Sequence, residues 1–255
     1  MLDIKHYGKC DLHNHTFFCD GKDSPEDMVE SAIEKGFDTI GLVCHSFIKG
    51  QESWCIKNAD YNAFKDTVYA LKIKYHNKIN ILCGVEKDLL SNDVPDIFDY
   101  YILSVHILEK NGIFFAIDDS AQVLVNACNT LFNGNWSELY ALYYNTLYKV
   151  SLMKNVDIIA HFDLITKFNE GDILFSTSKQ SYKDAWKACV DALLKTNAAF
   201  EINTGAISRG YKSTPYPSIE IIEYIKTRQA RFVLASDSHK KEDIGFKFDK
   251  YELLV

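Results

Sequence analysis

Apolar residues in this chain alternate between two patterns. Short runs rich in β-branched and aromatic residues occupy positions 9–15, 39–45, 79–86, 100–106, 156–161, 199–203 and 232–237. Each is too short for a helix and mostly apolar on both faces, as a strand covered from both sides would be. Between the runs, apolar side chains recur every three to four residues. Ser24 is placed to cap a helix that begins at Pro25, with Glu26 and Asp27 near its positive end. Met28, Val29, Ala32 and Ile33 form the stripe of that helix, and Gly36 stops it. Further stripes are Tyr61-Phe64-Val68-Leu71-Tyr75, Trp136-Tyr140-Tyr143-Leu147-Val150 and Tyr182-Trp186-Cys189-Leu193. A last helix opens at Ser218 and carries Ile222 and Ile225. These stripes read as core-facing. Strands alternating with helices predict a parallel α/β sheet with crossover helices. No repeat or Pro/Gly-rich linker divides the chain, so residues 1–255 read as one domain. Residues 163–179 lack periodicity and are expected to form a long loop, which at that length is often functional. After the last run little chain remains before Val255, so a closing helix is expected to be very short or absent.

Composition narrows the class. The chain has 255 residues, 47% hydrophobic and 25% charged, which is ordinary for a soluble globular protein with a sizeable core. The net charge of -7 disfavours a partner gripped by its phosphate backbone. A small anion stays admissible, because bound cations can reverse the local sign. The seven cysteines form no C-x-x-C pair, which argues against a zinc knuckle or redox dithiol and for reduced thiols. Residues 1–7 include Asp3, Lys5 and His6 and lack the apolar core of a signal peptide. No apolar run reaches the roughly 18 residues of a membrane span. A cytoplasmic protein is expected.

The chemistry gathers at the strand ends. Of eight histidines, His13, His15, His45, His106, His161 and His239 stand at or just past the C-terminal end of a predicted strand. In parallel α/β barrels that rim is where functional side chains converge. A single histidine there is readily a hydrogen-bonded core residue, but six in equivalent places point to one shared site. His13 and His15, one residue apart, face the same way on a strand and can share a metal. Glu86 ends the third run, and Asp237 flanks Ser238 with His239. Imidazole suits Zn, Mn or Fe, and carboxylates can bridge two cations, so the set suggests more than one metal. Asp20 offers another oxygen, or is a solvated turn residue before Gly21. His6 and His76 lie in polar contexts and read as surface residues.

The motifs His13-Asn14-His15, Cys44-His45, Glu86, Ser104-Val105-His106, Ala160-His161-Phe162-Asp163 and Asp237-Ser238-His239 resemble, in order, those of the polymerase and histidinol phosphatase (PHP) superfamily. Glu201-Ile202-Asn203-Thr204, Arg209 and Tyr216-Pro217-Ser218 are similar to its histidinol-phosphatase branch. The resemblance covers nearly the whole chain. It implies a distorted (β/α)7 barrel, TIM-barrel-like, with three divalent metal ions. The first would take His13, His15, Glu86 and Asp237. The second would share Glu86 and add His106 and His161, and the third would take Asp20, His45 and His239. It also implies hydrolysis of L-histidinol phosphate, a step of histidine biosynthesis, by a metal-bound hydroxide. Two departures stand out: Cys44 replaces a residue that is commonly acidic in relatives, and the short C-terminus is expected to loosen barrel closure near His239.

Arg209 is the candidate bidentate ligand for the phosphoryl oxygens, unless it is simply a surface arginine in a polar loop. Asp163 and a metal-bound water are the candidate proton donors to the leaving group. Three alternatives stay open. The substrate is another small phosphoester or a single nucleic-acid strand; the protein is an amidohydrolase-like metal hydrolase; or it binds metal without catalysis. The acidic balance and the lack of a basic, aromatic-interleaved track disfavour nucleic acid.

Overall fold

A computed structural model describes residues 2, 4–91, 94–150, 152 and 156–255. Met1 and Asp3, and the side chains of Lys5 and Val150, which entered the sequence reading, lie outside the described residues. In chain order the elements are β1 (Cys10–His15), α1 (Pro25–Glu34), β2 (Thr39–Val43), α2 (Tyr61–Tyr75), β3 (Asn80–Asp88), β4 (Tyr100–Ser104), β5 (Ile107–Lys110), β6 (Ile113–Ala116), α3 (Ala121–Phe132) and α4 (Trp136–Val150). There follow β7 (Ile158–Ile159), α5 (Gln180–Leu193), β8 (Ala199–Asn203), α6 (Gly205–Ser208), α7 (Ile219–Thr227), β9 (Phe232–Ala235) and α8 (Phe248–Tyr251).

The expected strands form one parallel sheet in the order β1-β2-β3-β4-β7-β8-β9. It curls into a seven-stranded barrel whose last edge meets its first. No ladder joins β9 to β1. The seam is closed at the C-terminal rim, where His15 donates its N–H to the Ser238 carbonyl (2.8 Å) and Ser238 donates its own to the His13 carbonyl (3.2 Å). Side chains complete the closure. Asp11 accepts the Ser236 hydroxyl (2.5 Å) and N–H (3.2 Å) and the Gly245 N–H (3.0 Å), and Ser238 Oγ bonds Asn14 Oδ1 (2.8 Å). The expected loosening near His239 is therefore not observed: this net of bonds does the work of a ladder, although among the described residues the one α-helix after β9 is the short α8.

Sequence patterns explain most helices. Ser24 accepts the Asp27 N–H and Asp27 accepts that of Ser24, a reciprocal cap on α1 worth about 1 kcal/mol. Tyr61, Phe64, Val68, Leu71 and Tyr75 of α2 are all buried against the sheet, as are Tyr182, Trp186, Cys189 and Leu193 of α5. Residues 163–179 form two 3-10 turns joined by irregular chain. Two features were not anticipated: the antiparallel hairpin β5–β6 and the helix α3 beside it.

The barrel interior holds Leu12, Val43, Ile102, Ile158, Ala199 and Val233 around Tyr100. The Tyr100 hydroxyl crosses from β4 to the Leu12 carbonyl (2.5 Å). A Cβ at Gly41 or Gly84 would strike that tyrosine, so those strands need glycine where it lies. No helix among the described residues is long and apolar enough to cross a membrane. His6 and His76 are exposed.

Candidate metal centre

Parallel strands bring their C-terminal ends to one rim, and the rim gathers the side chains that the sequence scatters. His13 and His15 sit on β1 and Glu86 near the end of β3. His45, His106, His161 and the pair Asp237 and His239 follow β2, β4, β7 and β9. Asp20 reaches the rim because the loop after β1 folds tightly back. A Cβ on Gly21 would come within 2.5 Å of the His15 backbone, so only glycine permits this approach. Asp237 adopts a left-handed backbone, φ 50°, a region where aspartate is several-fold enriched.

Three donor groups result. In the first, His13 Nε2 and His15 Nε2 approach to 3.0 Å. Glu86 Oε2 lies 3.2 and 3.3 Å from them, and Asp237 Oδ1 3.7 and 3.5 Å. Ligands about 2.0–2.1 Å from a tetrahedral zinc stand roughly 3.3 Å apart, so these atoms bracket a cation-sized point. In the second, the other oxygen of Glu86, Oε1, faces His161 Nε2 (3.1 Å) and His106 Nε2 (3.4 Å). In the third, Asp20 stands 3.6 Å from His45 Nε2, 3.2 Å from His239 Nε2 and 3.9 Å from His15 Nδ1. Glu86 Oε2 and Asp20 Oδ1 are buried without a hydrogen-bond donor. A buried carboxylate oxygen in that condition is costly unless a cation completes it. The residues present therefore fit a cluster of divalent ions.

The charges agree. Burial resists ionisation of Glu86, yet His45, His13 and His106 hold its carboxyl well below the usual range. Burial likewise opposes the Asp237 charge, but Arg209 and His13 hold that carboxyl well below its ordinary value. Burial, with His45 and His239 beside it, lowers the His15 pKa to about 4, which leaves a neutral imidazole with a lone pair to offer. His106 is pushed up to about 10: burial works against its charge, and Glu86, Asp88 and Asp118 outweigh it.

Other residues steady the donors, and the sequence reading had given them no role. Glu201, buried on β8, takes His13 Nδ1 at 2.7 Å with one oxygen. Its other oxygen accepts the His161 N–H (3.1 Å) and the Asn203 amide (2.9 Å). Asp88 accepts the His106 N–H (2.7 Å) and lies 3.5 Å from His106 Nδ1. Trp54 sets its ring edgewise against His45 and His106. A carboxylate two residues past a ligand, or a strand away, leaves no local spacing signal.

Arg209, Asp163 and Cys44 lie in three different settings. Arg209 is no free fork. It donates to the Asp237 carbonyl (2.7 Å) and to Asp237 Oδ2 (3.0 Å), with 30% of its side chain exposed to the cavity. Asp163 is fully buried, accepts the Ser218 N–H (3.0 Å) and is absent from the cavity wall. Cys44 is buried in the apolar cluster between sheet and helices, and burial pushes its thiol well above the ordinary value.

Beside the donors lies a cavity of about 330 Å³. Its metal-side wall is Asp20, His45, His106, His161, Asp237 and His239 with Arg209. Trp54, Leu164, Tyr211, Tyr216, Asp118 and Lys167 are among the residues that line the rest.

Known proteins match this architecture. A protein of Schizosaccharomyces pombe named "Probable histidinol-phosphatase" is 24% identical over 92% of this chain and 81% of its own length. One of the same name from Deinococcus radiodurans is 22% identical over 94% and 90%. Among solved structures, HisK of Listeria monocytogenes superposes with a TM-score of 0.83 at 24% identity, over 95% of this chain and 100% of its own. Histidinol phosphate phosphatase of Lactococcus lactis, crystallised with zinc, L-histidinol and phosphate, gives 0.69 at 18% identity, over 96% and 92%. The PHP domain model matches residues 11–205, from the histidine pair of β1 to just past β8, which leaves the positions of Asp237 and His239 to rest on geometry. With three quarters of its length under that match, the chain belongs to the PHP domain family.

Proposed function

We propose that this chain is a metal-dependent histidinol phosphatase, hydrolysing L-histidinol phosphate to L-histidinol and phosphate. The observation that carries the chemistry is Glu86: Oε2 faces His13, His15 and His45 while Oε1 faces His106 and His161, as a carboxylate among several cations would. The two relatives named "Probable histidinol-phosphatase", aligned over more than nine tenths of the chain, support the substrate.

We assign the donors as the sequence divides them. His13, His15, Glu86 and Asp237 hold one ion. Glu86, His106 and His161 hold a second, and Asp20, His45 and His239 a third. Zinc, manganese or iron suits such a set. Bound there, the ions supply the Lewis acidity and positive charge that phosphoryl transfer needs. The chain itself does the rest. Glu201 and Asp88 fix the imidazoles of His13 and His106, Arg209 fixes Asp237, and the cavity beside them takes the ester. Arg209 keeps part of its guanidinium toward that cavity, where it can reach a phosphoryl oxygen. Residues 1–255 act as one domain on this reading, because donors run from β1 to His239 and no division leaves the site whole. A glutamate, Glu86, stands where it would join two ions, a place where an amidohydrolase of the familiar kind uses a modified lysine, which disfavours that alternative. The net charge of -7 suits a substrate with a cationic end and a small-molecule partner better than a nucleic-acid strand. The cytoplasm is the compartment proposed for this biosynthetic step.

The test is metal analysis of protein purified without chelator, then phosphate release at fixed ionic strength from histidinol phosphate, nucleotides, sugar phosphates and single-stranded oligonucleotides. Histidinol phosphate is expected to show the highest kcat/KM. An oligonucleotide or sugar phosphate ahead by about tenfold or more would overturn the substrate and leave the metal centre standing.

A further inference from the structure

Four carboxylates line the cavity: Asp20, Asp237, Asp118 and Asp119. The first two belong to the donor groups. Asp119 is exposed, whereas Asp118 is half-buried. Asp118 follows the hairpin β5–β6, which lies outside the barrel sheet. Its neighbour Ile117 is fully buried and donates its N–H to the His106 carbonyl (2.9 Å). That bond fixes Asp118 beside the second donor group. Lys167 binds the Asp118 carbonyl (2.6 Å) and one carboxylate oxygen, Oδ2 (3.3 Å). Among the described residues none donates a hydrogen bond to the second carboxylate oxygen, Oδ1, and the side chain keeps 24% exposure at the cavity.

We propose that Asp118 is the specificity residue that accepts the ammonium group of a cationic phosphoester. The proposal rests on the histidinol-phosphatase reading and names a group that reading leaves open. In histidinol phosphate the ammonium stands two carbons from the ester oxygen. Its partner must therefore lie next to the metal donors and not at the cavity mouth, which is where Asp118 is. A carboxylate pinned at one oxygen and open at the other makes a directed, charge-assisted contact with little ordering left to do. The rings of Trp54, Tyr211 and Tyr216 in the same wall offer the apolar surface that an imidazole needs.

The experiment compares metal-loaded wild type with Asp118→Asn and Asp118→Ala. Three substrates are used: L-histidinol phosphate, its desamino analogue 3-(imidazol-4-yl)propyl phosphate, and 4-nitrophenyl phosphate. The readout is the ratio of kcat/KM for the first two, with metal content measured on each protein. Wild type is expected to prefer the amino ester, and both variants to lose that preference by about tenfold or more, mainly through KM, with metal retained. A preference that survives in either variant, or a parallel loss on all three substrates in both, overturns the role of Asp118. If wild type turns over neither imidazole ester better than 4-nitrophenyl phosphate, the histidinol-phosphatase reading fails and this proposal falls with it.

Discussion

At the scale of single residues, the site depends on groups that never touch a metal. Glu201 holds His13 Nδ1 at 2.7 Å, so the opposite nitrogen faces the first donor group. Its second oxygen supports the backbone of His161, a donor of the second. Carboxylates behind a ligating histidine typically matter 10- to 100-fold. Glu201→Gln is therefore expected to weaken metal affinity by roughly 10- to 100-fold with the far-UV spectrum unchanged, as read by competition with a chromophoric chelator. Unchanged affinity would reduce Glu201 to a packing residue. Arg209 carries a different expectation. Its contacts with Asp237 mean that Arg209→Ala removes the support of a candidate metal donor as well as the phosphate contact proposed for the guanidinium. Losing a charge-assisted bond costs about 1.5–3 kcal/mol, or roughly one to two decades in kcat/KM. Metal content should fall along with it. A variant with full metal and only a raised KM would show that Asp237 stands without help.

At the scale of elements, the seam between β1 and β9 is the weak point of the barrel and Asp11 its main rivet. Asp11→Ala strands the Ser236 N–H, the Ser236 hydroxyl and the Gly245 N–H. Orphaned buried donors cost about 1–3 kcal/mol each. Water entering the seam recovers part of that, so a net loss of about 3 kcal/mol is expected, seen as a midpoint lowered by roughly 6–12 °C. A midpoint within about 2 °C of wild type would show that the backbone bonds alone close the barrel. None of this was visible in the chain. The strands were legible because each is a continuous apolar run, and the donors because histidines punctuate the ends of those runs. The β5–β6 hairpin escaped notice because its strands have four residues each, too few for a period, with Ile113 and Phe114 exposed. The Ser236–Asp11 and His13–Glu201 contacts span 225 and 188 positions, and no local pattern encodes them. The placement of Asp163 was hidden for the same reason. Sequence order puts it two residues after His161, but the turn at Leu164–Thr166 carries its side chain toward the start of α7.

At the scale of the molecule, the donor groups sit astride the same seam. His13 and His15 come from one side of it, Asp237 and His239 from the other, and Glu86 from β3 opposite. Cations bound there would tie the barrel together where backbone hydrogen bonds are fewest. A ligand that binds only the folded state adds stability as RT ln(1 + [L]/Kd), about 2.7 kcal/mol at a hundredfold excess over Kd. Here that stability should be localised. Stripping the metals with a chelator is expected to lower the unfolding midpoint. Amide exchange should accelerate chiefly in β1, in β9 and in the segment from Ser236 to Gly245, because those groups lose the clamp that holds two edges together. The β2–β3–β4 ladder has paired neighbours on both sides and should keep its protection. Exchange that rises evenly across all seven strands would mean that the cations stabilise the barrel as a whole. Exchange that does not change would mean that the Asp11–Ser236 and Asn14–Ser238 bonds hold the seam unaided, so that the metals serve chemistry alone.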